Sequence, residues 1–173
     1  METLSSLDSM YKEKDMYRIG FSEDIHPVDK SRKLVLGGIE IPAPFGLHGH
    51  SDADVVLHAV AESILGALAL GDLGTHFPDT DPKYKGIASK ILLEEVVKMM
   101  DKEGYQINNI DVQIGAKEPK LSSYILSMRQ CIAKLLHTDS NNVSIKAMSF
   151  NKVGPIGNLE AIKSQAIVLL IKK

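Results

Sequence analysis

The chain has 173 residues, 44% of them hydrophobic, enough for one domain with a real core and too few for two. Its 20 Lys and Arg against 22 Asp and Glu leave a net charge of −2, so no general attraction to nucleic acid or to an anionic membrane is expected. The longest uncharged apolar run, 63–71, is too short to span a bilayer, and the single cysteine, Cys131, excludes an internal disulfide and any CxxC zinc site.

Residues 1–16 mix Ser, Glu, Asp and Lys with scattered apolar side chains. They read as a poorly ordered extension of a domain covering 17–173, with a short helix as the rival reading. No apolar h-region is present there, so no signal peptide is expected. A reducing, cytoplasmic setting is the default, with an organellar location after processing left open.

Tyr17–Ile25 is predicted as the first strand, with Pro27 stopping its pairing. Lys33–Leu36 and Ile39–Ile41, joined at Gly37-Gly38, predict a small hairpin. After the loop around Pro42 and Pro44 comes the stretch His50-Ser51-Asp52-Ala53-Asp54-Val55-Val56-Leu57-His58. Ser51 or Asp52 is placed to cap a helix, and Val56, Val60, Ile64, Leu65 and Leu68 follow at helical spacing to about Leu70, with Gly71 as the stop. His58 stands on this apolar helix, four residues after Asp54. Asp54 is either an acid that orients a His58 ring nitrogen or a solvated first-turn acid that complements the dipole. His50 lies just before the helix start, where free N–H groups favour an anion.

Residues 71–82 hold two Gly, two Pro and three Asp and predict a loop. A second helix fits Ile87–Glu103, with Ile91, Leu92, Val96, Met99 and Met100 facing inward and Gly104 as its stop. A strand at Ile107–Ala116 precedes a turn. A third helix runs from about Ser123 to Leu136, with Ile125, Met128, Ile132 and Leu135 inward. Val143–Met148 is a strand, Ser149–Gly157 a loop, and Ala161–Ile171 a closing strand whose apolar run 167–171 predicts burial on both faces. The economical packing is an α/β fold of two layers, one sheet with the helices on one face.

One histidine cannot hold a metal alone. A catalytic zinc takes three protein ligands and keeps one position open. If Asp24-Ile25-His26 is extended, Asp24 and His26 point to one side of the strand. Together with His58 they form a candidate Asp-His-His site. On spacing alone a satisfied helix histidine and an unrelated strand-end triplet remain open.

Asp24-x-His26, His50-Ser51-Asp52-x-Asp54-x-x-x-His58, Gly71-Asp72-Leu73-Gly74, Phe77-Pro78-Asp79-Thr80-Asp81-Pro82 and Ala116-x-x-Pro119-Lys120 occur in the order of one family. Over residues 17–171 the chain resembles the 2-C-methyl-D-erythritol 2,4-cyclodiphosphate synthases of non-mevalonate isoprenoid biosynthesis. The resemblance implies a homotrimer with active sites at subunit interfaces. The implied reaction closes 4-diphosphocytidyl-2-C-methyl-D-erythritol 2-phosphate to the cyclic diphosphate and releases CMP. It implies one zinc ion per subunit on Asp24, His26 and His58, with Mg2+ or Mn2+ joining the substrate. It also implies that His50 and Ser51 contact substrate phosphates, and that Ser149 acts with His50 on the transition state. Asp72, Leu73, Gly74, Phe77, Pro78, Asp79, Thr80 and Asp81 match positions around the methylerythritol. Ala116, Lys117, Glu118, Pro119, Lys120 and Leu121, with Ala147, Met148, Ser149, Phe150 and Asn151, match the cytidine side across an interface.

The sequence departs from the family at several points. Ser22 and Glu23 replace a Gly and a Phe beside a metal ligand. Asn151 replaces a Glu that supports magnesium, and can coordinate only through its carbonyl. An Arg common near Asn158 is missing. Weaker magnesium dependence and little prenyl-diphosphate binding are the expected consequences. Two alternatives share the zinc site: a phosphohydrolase using metal-bound water, and a zinc-binding trimer that holds nucleotide or isoprenoid ligands without turnover.

Overall fold

The computed structural model describes residues 16–173. The expectation for the extension 1–16 therefore falls, apart from Met16, outside the described residues.

Among the described residues, seven strands form two sheets. The main sheet has the order β4-β1-β7-β5-β6, from β1 (Tyr17–Asp29), β4 (Gly46–Leu47), β5 (Tyr105–Gly115), β6 (Val143–Met148) and β7 (Ala161–Lys172). Only β5 and β6 run parallel; the other pairs are antiparallel. The hairpin of β2 (Leu34–Leu36) and β3 (Ile39–Ile41) stands apart as predicted. Its turn residues Gly37 and Gly38 have φ of 58° and 76°, which a side chain at either position would strain. Three helices cover one sheet face: α1 (Val55–Leu68), α2 (Ser89–Lys102) and α3 (Ile125–Leu135). The two-layer α/β expectation holds.

Helix α1 is apolar and buried over most of its circumference, from Val55 and Val56 through Leu65, and His58, Glu62 and Gly66 make the one stripe left open. It reaches the sheet at Gly20, where a Cβ would lie 1.9 Å from the Ser63 carbonyl oxygen and 2.7 Å from the Ala67 nitrogen. That close approach brings the end of β1 alongside the first turns of α1.

Several local expectations are corrected. Pro27 does not end β1: it pairs with Ala161, and the strand runs on to Asp29. Its carbonyl accepts the His48 amide at 2.9 Å, so its nitrogen faces the two-residue β4 and costs no bond to β7. The cap of α1 is Asp54, not Ser51 or Asp52, and the helix ends at Ala69 in the left-handed conformation, ahead of Gly71. In α2, Ile91 is exposed while Leu93 and Val97 are buried with Leu92, Val96 and Met100. Loop 71–82 contains a one-turn helix at Leu73–His76 and leads into a 3-10 turn at Pro82–Tyr84. The loop after β6 likewise holds short turns at Phe150–Lys152 and Gly154–Gly157.

The run 167–171 is not buried on both faces in the single chain. Val168 and Leu170 face the helices and are buried, whereas Ile167 is exposed. With Ile19, Phe21 and Ile25 it forms an apolar patch on the face without helices. Among the described residues no helix is long and apolar enough to cross a membrane.

Candidate functional site

Strand alternation puts Asp24 and His26 on the helix side of β1, opposite His58 in the first turn of α1. Asp24 Oδ2 lies 2.9 Å from His26 Nε2 and 3.0 Å from His58 Nδ1, and the two ring nitrogens are 3.2 Å apart. Tetrahedral ligand atoms at zinc bond lengths would be about 3.3 Å apart, so this triangle needs only a slight expansion to accept an ion. One oxygen and two imidazole nitrogens suit zinc and its neighbours. Among the described residues this is the one group of three that could hold a metal.

The second ring nitrogens are also placed. His26 Nδ1 lies 2.6 Å from the His48 carbonyl, which accepts its proton and leaves Nε2 toward the cluster. His58 Nε2 faces Ser51 Oγ at 3.0 Å and Ser89 Oγ at 2.9 Å. Arg32 braces the loop that carries these groups, donating to the Gly49 carbonyl at 2.6 Å and the Ser51 carbonyl at 2.5 Å.

Burial alone would raise the Asp24 carboxyl, but hydrogen bonds from His26 and His58 outweigh it and hold it well below the usual range. Burial would lower His26, yet the Asp24 partner raises it.

Asp54 takes neither expected role. It is fully buried and does not touch the His58 ring. Its carboxylate accepts the amides of Val56 and Leu57 at 3.1 Å each, and those of Gly37 at 2.9 Å and Gly38 at 2.6 Å. Burial pushes this carboxyl up, to about 6, against backbone donors that favour its charged form. Two of the α1 amides expected to attract an anion, those of Val56 and Leu57, are thus already used by Asp54.

The triad opens into a cavity of about 310 Å³. The predicted residues Asp24, His26, His50, Ser51, His58, Leu73, Gly74, Phe77 and Asp79 line it. Asp72, Pro78, Thr80 and Asp81 do not; Asp72 and Asp81 instead cap short turns by accepting the Thr75 and Lys83 amides. Lys117, Glu118, Ser149 and Asn151 line a separate cleft of about 440 Å³. Ala116 and Leu121 are buried behind it, Pro119 follows Glu118 through a cis bond, Lys120 is exposed, and Ala147 and Met148 lie exposed at the end of β6. Phe150 lies beneath the Lys163 ammonium, 5.3 Å from its ring centre. Within one chain, then, His50 and Ser149 belong to different clefts.

Of the departures, Ser22 is buried toward the helices. Glu23 lines the same cavity as the triad, and its carboxylate pairs with Lys163, at 2.9 Å, and accepts from Gln165. The sequence pointed to neither Ser89, Asp52 nor Arg32 as parts of the site. The lone signal for Ser89 was a hydroxyl residue at a helix start, which reads as a cap.

A mixed sheet covered on one face by helices, with an Asp-His-His cluster at a cavity mouth, defines an α/β metal-binding domain. The chain belongs to the YgbB family, whose model matches residues 17–171. It is 52% identical over 157 residues to the 2-C-methyl-D-erythritol 2,4-cyclodiphosphate synthase of Desulfitobacterium hafniense (strain DSM 10664 / DCB-2), covering 91% of this chain and 99% of that one. It is 53% identical over 155 residues to the synthase of the same name from Brachyspira hyodysenteriae, covering 90% and 98%. The solved structure of Plasmodium falciparum IspF in complex with CDP matches with a TM-score of 0.81 at 34% identity, over 92% of this chain and 98% of that one. The family is one of enzymes, and the metal-binding cluster fits it.

Proposed function

We propose that the protein converts 4-diphosphocytidyl-2-C-methyl-D-erythritol 2-phosphate to 2-C-methyl-D-erythritol 2,4-cyclodiphosphate and CMP. It would act as a phosphorus–oxygen lyase of non-mevalonate isoprenoid precursor synthesis. The observation that carries this reading is the Asp24–His26–His58 cluster at the mouth of a cavity, in a chain about half identical to synthases of that name over their whole length.

The reaction is an intramolecular phosphoryl transfer. The 2-phosphate oxygen attacks the β-phosphorus, the bond to the CMP oxygen breaks, and the electron pair leaves with CMP. Catalysis then consists of positioning and of neutralising charge on phosphate oxygens. No side-chain nucleophile is required. Asp24, His26 and His58 would hold zinc, which supplies Lewis-acid polarisation of a phosphate oxygen when bound. His50 and Ser51 present their donors to the phosphates from the cavity wall. Leu73, Gly74, Phe77 and Asp79 enclose the sugar chain and limit water, which would otherwise give a linear product.

Cytidine is assigned to the second cleft, lined by Lys117, Glu118, Ser149 and Asn151. A single substrate joins both clefts if the second comes from a neighbouring subunit. That, with the apolar patch of Ile19, Phe21, Ile25 and Ile167, supports a homotrimer with interfacial sites. Ser149 would then meet His50 across the interface. Asn151 would hold Mg2+ or Mn2+ through its carbonyl only.

A phosphorus NMR time course with this substrate, zinc and magnesium tests the reading. Cyclic diphosphate and CMP are expected. CMP with an acyclic product carrying two separate monophosphates would indicate a phosphohydrolase, and unchanged substrate with zinc bound would indicate a binding protein.

A further inference from the structure

His58 offers one ring nitrogen to two serine hydroxyls, and the two are not equivalent. Ser89 Oγ lies 2.5 Å from Asp52 Oδ1, while Asp52 Oδ2 accepts the Ser89 amide at 3.1 Å. A carboxylate only accepts, so the Ser89 hydroxyl proton is committed to Asp52. Toward His58 Nε2, at 2.9 Å, the Ser89 oxygen can then act only as an acceptor. Ser51 Oγ accepts the Ala53 amide at 3.1 Å and has no carboxylate partner. Backbone bonds clasp the two segments together: the Gly86 amide donates to the His50 carbonyl at 2.9 Å, and the Asp52 amide to the Ile87 carbonyl at 3.0 Å. Ser89 itself is 1% exposed.

We propose that Asp52 and Ser89 are a positioning pair for His58. The pair sets the ring proton on Nε2, so that Nδ1 presents a lone pair to the metal position beside Asp24 and His26. Ser51 is relieved of that task and keeps its hydroxyl proton for a ligand in the cavity it lines. The Ser51 assignment rests on the cyclase reading; the positioning pair rests on the metal cluster alone. Metal-bound imidazoles are almost always oriented by a hydrogen bond at the other nitrogen, and here the acceptor is polarised by its link to the half-buried Asp52 carboxylate. The chain of donors runs from His58 Nε2 to Ser89 Oγ, and from Ser89 Oγ to Asp52 Oδ1.

The test combines zinc affinity, by chelator competition, with the His58 tautomer, by long-range proton–nitrogen NMR of the full-length, histidine-labelled protein. In the zinc-loaded wild type, the proton is expected on Nε2. Ser89→Ala and Asp52→Asn should each weaken zinc binding by about tenfold or more, and Ser89→Thr should restore it. Ser51→Ala should change zinc affinity by no more than about twofold. A wild-type proton on Nδ1 overturns the proposal, as does unchanged zinc affinity in both Ser89→Ala and Asp52→Asn. An equal loss in Ser51→Ala also overturns it. If the variants do not fold, the wild-type tautomer decides. Should the protein form no cyclic product while these results hold, only the Ser51 assignment falls.

Discussion

The Asp54 carboxylate accepts the Gly38 amide at 2.6 Å from sixteen residues away, while its other oxygen binds Gly37 and the first amides of α1. One side chain thus fixes the start of the metal-bearing helix to the turn of a separate hairpin. Replacing it leaves four buried donors to find other partners. Asp54→Ala is expected to cost about 3 kcal/mol, more than a surface cap, because the donors cannot reach water. Asp54→Asn should recover little, since its amide nitrogen meets donors. Denaturant unfolding at fixed protein concentration measures both. A loss no larger than that of an exposed cap would contradict the bridging role.

Metal binding should carry a pH signature with a definite sign. In the metal-free protein the raised His26 contributes stability that is full below its usual 6.5 and is lost as pH rises through the folded value. The depressed Asp24 contributes stability present above its usual 3.8 and lost as pH falls through the folded value. A zinc ion needs His26 neutral, so it competes with the proton that stabilises the empty site. The melting-temperature gap between zinc-loaded and metal-free protein is therefore expected to widen as pH rises from about 5.5 to about 8. Calorimetry near neutral pH, in buffers of different ionisation enthalpy, should show proton release on binding. A gap independent of pH would contradict the Asp24–His26 coupling.

Periodicity made the helices and most strands legible, and the Gly37-Gly38 pair announced the hairpin. The ligand triad was legible because two local patterns, a period-two triplet and a helix histidine, supplied all three atoms. Asp54 was not legible. Ser51, Asp52 and Asp54 are all good capping types, and the choice was made by Gly37 and Gly38, which approach only in the folded chain. Ser89 was hidden for the same reason, since its partner Asp52 lies 37 residues earlier. In β7 the residues of both faces are apolar, so sequence alone could not distinguish a strand buried twice from one with an open apolar face.

Gly20 has an ordinary backbone conformation, so its role is purely one of space. Gly20→Ala would place a methyl group 1.9 Å from the Ser63 oxygen, a contact that flexible side chains cannot relieve because the obstacle is helix backbone. The substitution is expected to cost about 3 kcal/mol or more, or to prevent folding, by forcing α1 from the sheet. Because α1 carries His58, a folded variant should also bind zinc more weakly. Full stability with wild-type zinc affinity would refute the close-packing account.

Phe21 is 61% exposed on the apolar patch and touches neither the triad nor the core. Phe21→Asp is expected to leave the circular dichroism spectrum and zinc stoichiometry of the chain intact. On the proposed trimeric arrangement it should shift sedimentation from trimer to monomer and abolish cyclisation, because the two clefts would no longer be brought together. A trimer that survives the substitution would move the subunit contact elsewhere.

Asn151 stands at φ 48° and ψ 39°, exposed beside Lys117, Glu118 and Ser149 in the second cleft. Asparagine tolerates this left-handed backbone better than most residues, and glutamate pays a modest conformational penalty there. A carboxylate at the same position would nevertheless offer magnesium a charged oxygen in place of a carbonyl dipole. Asn151→Glu is therefore expected to lower the magnesium concentration for half-maximal turnover by roughly tenfold, with little change in zinc affinity. The two metals separate the outcomes. A shift in zinc affinity would mean that the substitution disturbs the fold around the triad. An unchanged magnesium midpoint, with zinc binding intact, would mean that position 151 does not face the substrate phosphates and that the second metal is held by the substrate alone.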